Sequence, residues 1–312
     1  MASTFARALL APLGASLAFV LALGVAGPAS AALRVVATFP DLADLAREVG
    51  GDRVSVDTLA EGGQDPHRVP VKPSFVTKLN RADALVVMGL GLESAFLPAL
   101  LEVARNPRIL PGSEAYVDAS LYVTPLEVPT SQSRAQGEVH ALGNPHFNLD
   151  PVRGKEMVRA IAEGLTRVDP EGAEVYAANA ERYRALLDRK IEEWMRLAAP
   201  LRGVKVVSYH RDLVYFADRF GLEVVGEIES KPGVTATPAH LEALVARMRQ
   251  TGTQLVLREV HFEPALAQRV AERAGARVVG ISVLAGGLPG AESYVGLIEA
   301  NLRAVLAALP AG

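Results

Sequence analysis

The sequence predicts an α/β chain of two lobes, each built on a mainly parallel sheet, joined by one long rigid helix. Short β-rich runs alternate with amphipathic stretches on both sides of a central segment, the pattern of strand and helix units laid onto parallel sheets. That central segment, Glu171 to Ala199, has no Pro or Gly after Gly172 and is rich in Ala, Glu, Arg and Leu. It reads as a single helix of about 28 residues, on the order of 40 Å long. Half of the 312 residues are hydrophobic and 21% are charged, which supplies a sizeable core and excludes wholesale disorder. A chain of this length exceeds one typical core, so two domains are expected.

In the first lobe, expected over residues 32–170, strand-like runs Leu33–Ala37, Val54–Leu59 and Ala84–Met88 are each followed by a helical pattern, at Asp41–Val49, Pro73–Arg81 and Leu92–Ala104. The stretch Thr124–Gly143, with Pro125, Pro129 and Gly137, is expected as a loop of about twenty residues, long enough to suggest function. Helical pattern returns at Pro151–Val168, and the linking helix occupies 171–199. In the second lobe, 200–312, strands are expected at Val204–Tyr209, Leu222–Ile228, Gln254–Arg258 and Ala276–Ile281. Helices are expected there at Asp212–Phe220, Pro238–Gln250, Pro264–Ala274 and Ser293–Leu309. A single helical connector resists wide hinge motion, so the lobes should move little. No internal repeat is discernible.

Composition narrows the function. Thirty-two Lys and Arg against 35 Asp and Glu give a net charge of -3, with no basic footprint for nucleic acid. Cysteine is absent, which excludes disulfides, thiolate metal sites, Cys nucleophiles and thiol-linked lipid, and leaves His, Asp and Glu for metal chemistry. At the N-terminus, Arg7 precedes an apolar stretch from Ala8 to Ala26 and then the small residues Pro28-Ala29-Ser30-Ala31. This is the layout of a secretory signal peptide, 1–31, rather than an uncleaved anchor, and it implies export to the periplasm.

The six histidines are informative by position. His67 ends Gly62-Gly63-Gln64-Asp65-Pro66-His67 just past a strand, His210 directly follows Val206-Val207-Ser208-Tyr209, and His146 precedes a helix in Gly143-Asn144-Pro145-His146. An isolated loop histidine is ordinarily an exposed or capping side chain. Three at matching topological places, outside the carboxyl ends of strands where α/β sheets bind ligands, point to a metal in the cleft between the lobes. Glu259, at the end of a strand on the same edge, is either a carboxylate ligand or an acceptor that orients an imidazole N–H. His261 lies two residues on. His140 reads as a solvent-exposed loop residue ahead of a metal-capturing one, and His240 as surface. Asp212 and Glu292–Tyr294 offer no coupled acid and base, and HExxH, GxSxG, a P-loop and GxGxxG with an acidic follow-up are absent.

Taken in order, Asp65-Pro66-His67 with Pro73-Ser74, Gly91-Leu92-Glu93, Asn144-Pro145-His146-Phe147-Asn148-Leu149-Asp150-Pro151, Tyr209-His210 with Tyr215-Phe216-Ala217 and Phe220-Gly221-Leu222, Glu259, Tyr294 and Asn301-Leu302 form a recognisable series. The chain resembles the zinc and manganese solute-binding proteins of bacterial ABC transporters, sometimes called cluster A-I or cluster 9. The resemblance implies two α/β lobes joined by a rigid helix, a metal between them, and His67, His146 and His210 as ligands. Where that family often places an acid near the last strand, Ile281–Gly287 has no carboxylate, so the fourth ligand stays open between Glu259, His261, a water or none. Three imidazoles suit Zn(II) as the transported ligand; Mn(II), which favours more oxygen donors, is the less favoured cargo.

The expected partners are therefore a divalent metal ion and an ABC transporter membrane permease, with the protein a monomer and not an enzyme. Two other readings share the site: a zinc-dependent hydrolase with an open fourth position and Glu259 as base, and a periplasmic zinc buffer or adhesin.

Overall fold

Two four-stranded parallel sheets organise the computed structural model, which describes residue 1 and residues 31–129, 140–229 and 233–309. The apolar segment read as a signal peptide, and the middle of the long loop, fall outside the described residues. The first sheet has the order β2-β1-β3-β4, from β1 (Leu33–Ala37), β2 (Val54–Thr58), β3 (Ala84–Val87) and β4 (Tyr116–Asp118). The second has the order β6-β5-β7-β8, from β5 (Lys205–Ser208), β6 (Glu223–Glu227), β7 (Leu255–Glu259) and β8 (Arg277–Ile281). All pairings are parallel. The two sheets thus repeat one topology although no repeat shows in the sequence.

Helices α1 (Pro40–Gly50), α2 (Pro73–Arg81), α3 (Leu97–Ala104) and α4 (Pro151–Val168) accompany the first sheet. Helices α6 (Val214–Phe220), α7 (Pro238–Thr251), α8 (Pro264–Ala274) and α9 (Tyr294–Ala308) accompany the second. Five of the helices begin at the Pro of their first turn, which has no N–H to leave unpaired and a φ already set for helix. Between the sheets runs α5, Ala173–Leu197, 25 residues and so about 37 Å.

Three local expectations need correction. β4 lies where the sequence predicts no strand, because three residues carry too little alternation to register as one. The helix expected over Leu92–Ala104 is a 3-10 turn at Leu92–Ala95 followed by α3, since Pro98 can occupy only a first helical turn. Likewise Arg211–Leu213 is a 3-10 turn, and α6 starts only at Val214.

The core does not stop at the linking helix. One cluster of buried apolar side chains includes Val35, Leu85 and Phe147 from the first half together with Leu187 of α5 and Tyr215, Leu255, Ile281 and Leu297 from the second. A smaller cluster, with Val207, Ile228, Leu244, Met248 and Val256, covers the other face of the second sheet under α7 and α8. Burial on both faces explains why β5 and β7 read as continuous apolar runs.

Candidate metal centre

His67 and His146 are presented by the same local device. In Asp65-Pro66-His67 the Asp65 Oδ1 accepts the His67 backbone N–H at 2.9 Å, and in Asn144-Pro145-His146 the Asn144 Oδ1 accepts that of His146 at 3.1 Å. An Asx side chain bonded two residues on, across a proline of fixed φ, makes a tight turn that holds the histidine at its exit. Asn144 is itself fixed: its Nδ2 donates to Arg211 O at 2.9 Å, and its carbonyl accepts the Tyr215 hydroxyl at 2.6 Å.

His210 stands two residues past β5 in extended backbone, φ -120° and ψ 175°, immediately before the 3-10 turn. That turn doubles the chain back, so Asp212 reaches the same point as His210. The Asp212 Oδ1 lies 2.8 Å from His146 Nε2, 3.3 Å from His210 Nε2 and 3.9 Å from His67 Nε2. The Nε2 atoms of His67 and His146 are 3.1 Å apart. All four ligating atoms fall within 4.8 Å of one another, and the residues are buried or nearly so. For a tetrahedral ion with arms of 2.0–2.1 Å the donors would stand about 3.3–3.4 Å apart, a spacing these distances bracket.

The electrostatics match a cation site. Asp212 is fully buried, with His146 Nε2 2.8 Å from its Oδ1. Burial pushes its carboxyl up, but the neighbouring His146 and His210 outweigh it and hold the group well below the usual carboxylate range. Burial works against charge on His210 too, yet Asp212, Glu229 and Glu259 raise it to about 9. In His146 burial prevails and the imidazole is lowered. A buried carboxylate needs a nearby positive charge, which the imidazoles supply here when protonated and a divalent ion would supply in their place.

The three expected histidines are thus brought together, and Glu259 is left out of the group. Its Oε1 accepts the His210 backbone N–H at 3.2 Å, its Oε2 has no partner among the described residues, and burial above all raises its carboxyl well above the usual range. The carboxylate that lies among the three imidazoles is Asp212 rather than any residue of Ile281–Gly287, and no short motif marks it. Read as the start of a helix, Asp212 gives no sign of facing the histidines, and the 3-10 turn at Arg211–Leu213 brings it there. Ser282 in that stretch is tied to Asn301, its N–H donating to Asn301 Oδ1 at 2.9 Å.

The other histidines also shift from expectation. His140 is half-buried rather than exposed, its ring 5.2 Å from that of His67, and burial lowers it to about 3. His240 is half-buried with Nε2 2.9 Å from Glu227 O. His261 packs on Phe262 at 4.4 Å, its buried Nδ1 without a partner among the described residues. Beside the four donors lies a cavity of about 50 Å³ lined by Asp65, His67, Arg68, His210, Glu229, Gly233 and Phe262. A larger one, about 480 Å³, lies beyond β3 between Leu90, Leu97, Leu101 and Tyr116, and none of the four donors lines it.

Residues 35–308 match the family described as zinc-uptake complex component A, periplasmic. The chain is 28% identical over 310 residues to the high-affinity zinc uptake system protein ZnuA of Paracoccus denitrificans, covering 91% of this chain and 94% of that one. It is also 28% identical over 283 residues to the manganese-binding lipoprotein MntA of Halalkalibacterium halodurans, covering 89% and 88%. Among solved structures, a zinc-bound ZnuA deletion mutant matches with a TM-score of 0.75 at 25% identity, over 90% of this chain and 99% of that one. A Mn-bound periplasmic metal binding protein from Candidatus Liberibacter asiaticus shares the fold, with a TM-score of 0.72 at 22% identity over 88% and 98%.

Proposed function

This chain belongs to the periplasmic zinc-uptake complex component A family, and from that premise we propose that it binds Zn(II) between its two sheets and delivers the ion to the membrane permease of an ABC transporter. The ligands are His67, His146, His210 and Asp212. What carries the reading is the donor set itself: three imidazole nitrogens and one buried carboxylate oxygen within 4.8 Å. Relatives named for zinc and for manganese are equally similar, so the choice of metal rests on chemistry. Three nitrogens with one oxygen suit tetrahedral zinc, whereas manganese favours a larger shell of oxygens.

Export to the periplasm and a monomeric state complete the proposal. A free rather than lipid-tethered form fits the absence of cysteine. The hydrolase reading fares worse than transport. Glu259, its supposed base, is wholly buried and engaged by the His210 backbone N–H at 3.2 Å.

Metal analysis of the purified protein followed by competitive titration tests the proposal. His67→Ala, His146→Ala and His210→Ala should each weaken zinc binding on the order of 100-fold or more, beyond what loss of an orienting partner brings, while His240→Ala leaves it unchanged. Wild-type affinity in His210→Ala would show that the ion binds elsewhere.

A further inference from the structure

Beside the metal centre the second sheet departs from regular pairing. β5 and β6 pair Lys205 with Glu223 and Val206 with Val224, then Val207 with Gly226 and Ser208 with Glu227, so Val225 is an extra residue in β6. Side chains alternate between faces, and a one-residue shift therefore changes which side chain stands beside each residue of the partner strand. The chain continues past the strand ends through Ile228 N–H to Ser208 O and Glu229 N–H to Tyr209 O, both 2.9 Å. In this shifted register Glu229 falls beside His210; without the bulge Ile228 would stand there. Ile228 instead enters the apolar cluster with Val207 and Leu244.

The consequence is a direct contact: Glu229 Oε2 lies 2.7 Å from His210 Nδ1. The same oxygen accepts the Gly233 backbone N–H at 3.2 Å, which fixes the carboxylate in place. The other ring nitrogen of His210, Nε2, faces Asp212 Oδ1. An imidazole that donates Nδ1–H to a carboxylate has its free lone pair on Nε2 and becomes a stronger donor there.

We infer that Glu229 is the positioning residue of the metal centre, accepting the His210 Nδ1–H so that Nε2 is the metal-binding nitrogen, and that the bulge at Val225 is what delivers it. The inference rests on His210 being a zinc ligand. Glu259, on the neighbouring strand, holds the His210 backbone while Glu229 sets its ring.

The test combines zinc affinity with the state of the ring nitrogen. In E229Q, zinc should bind 10- to 100-fold more weakly than in wild type, and E229D, which keeps the charge, should restore part of the loss. Long-range proton–nitrogen correlation spectra of the zinc-loaded, nitrogen-labelled protein should show His210 bound through Nε2, with a slowly exchanging Nδ1 proton far downfield. That proton should move upfield in E229Q. Unaltered zinc affinity and an unmoved Nδ1 proton in E229Q, beside lost binding in H210A, would overturn the role of Glu229 and leave the zinc site standing. Undiminished binding in H210A would overturn both. Should E229Q fail to fold, E229D and the wild-type spectrum decide: zinc bound through Nδ1, or an Nδ1 without its proton, sinks the inference.

Discussion

Among the described residues, Asp212 is the one side chain whose oxygen meets all three clustered imidazoles, at 2.8, 3.3 and 3.9 Å. Glu259, one strand away, is equally buried but spends its accepting oxygen on a backbone N–H. The two acids should therefore separate cleanly by mutation. Asp212→Asn is expected to lower zinc affinity on the order of 100-fold or more and to remove one oxygen from the coordination shell. Glu259→Gln should weaken binding by no more than the 10- to 100-fold typical of an outer partner and leave the shell as three nitrogens and one oxygen. Competitive titration with X-ray absorption reads both quantities; a shell altered in Glu259→Gln and intact in Asp212→Asn would exchange their roles.

At the scale of elements, the start of α4 does more than begin a helix. Asp150 caps it by accepting Val152 N–H at 2.9 Å, and it reaches across to Arg219 of α6 with two hydrogen bonds of 2.7 and 3.0 Å. Asp150 is fully buried and Arg219 only a quarter exposed, so this bridge should be worth more than a surface pair. Asp150→Ala removes cap and bridge together and is expected to cost about 2–4 kcal/mol in urea unfolding of the metal-free protein. A loss under about 1 kcal/mol, the range of exposed pairs, would mean that the two elements are held by apolar packing alone. Elsewhere the loop after β2 and the loop after β8 approach backbone to backbone at Gly62, where a Cβ would fall 2.2 Å from Ala285 O.

Across the whole molecule, a core continuous through both sheets joins the two halves more firmly than a helical connector alone would. Polar contacts reinforce it: Asn148 Nδ2 donates to Asp41 Oδ2 and to Val283 O, each at 2.8 Å, and Tyr294 N–H donates to Asp44 at 2.8 Å. Burial raises the Asp41 carboxyl to about 7. The folded protein thus keeps this proton up to about pH 7, while the unfolded chain releases it near 4. Between those values the folded state binds more protons, so the stabilisation is full below about pH 4 and is lost as pH rises through 7. Asp41→Asn cannot ionise, and it should gain on wild type by up to about 1.4 kcal/mol per pH unit between roughly pH 5 and 7. Urea unfolding of both proteins at several pH values checks this, and parallel stability curves would refute it.

The sequence by itself determined the α/β class, most element positions and the three histidines, because these rest on signals confined to a few neighbouring residues. Short β-rich runs mark the strands, prolines mark the helix starts, and Asp65-Pro66-His67 and Asn144-Pro145-His146 are complete turns in themselves. Tertiary structure decided the rest. Asp212 reads as the start of a helix until the 3-10 turn points it inward, and Glu229 stands beside His210 only because β6 carries an extra residue. The expectation for Glu259 followed the right strand edge, but edge position does not say which way a carboxylate is engaged. Register, turn pitch and contact between halves depend on pairings between residues far apart in the chain, and such pairings leave no local trace in composition or spacing.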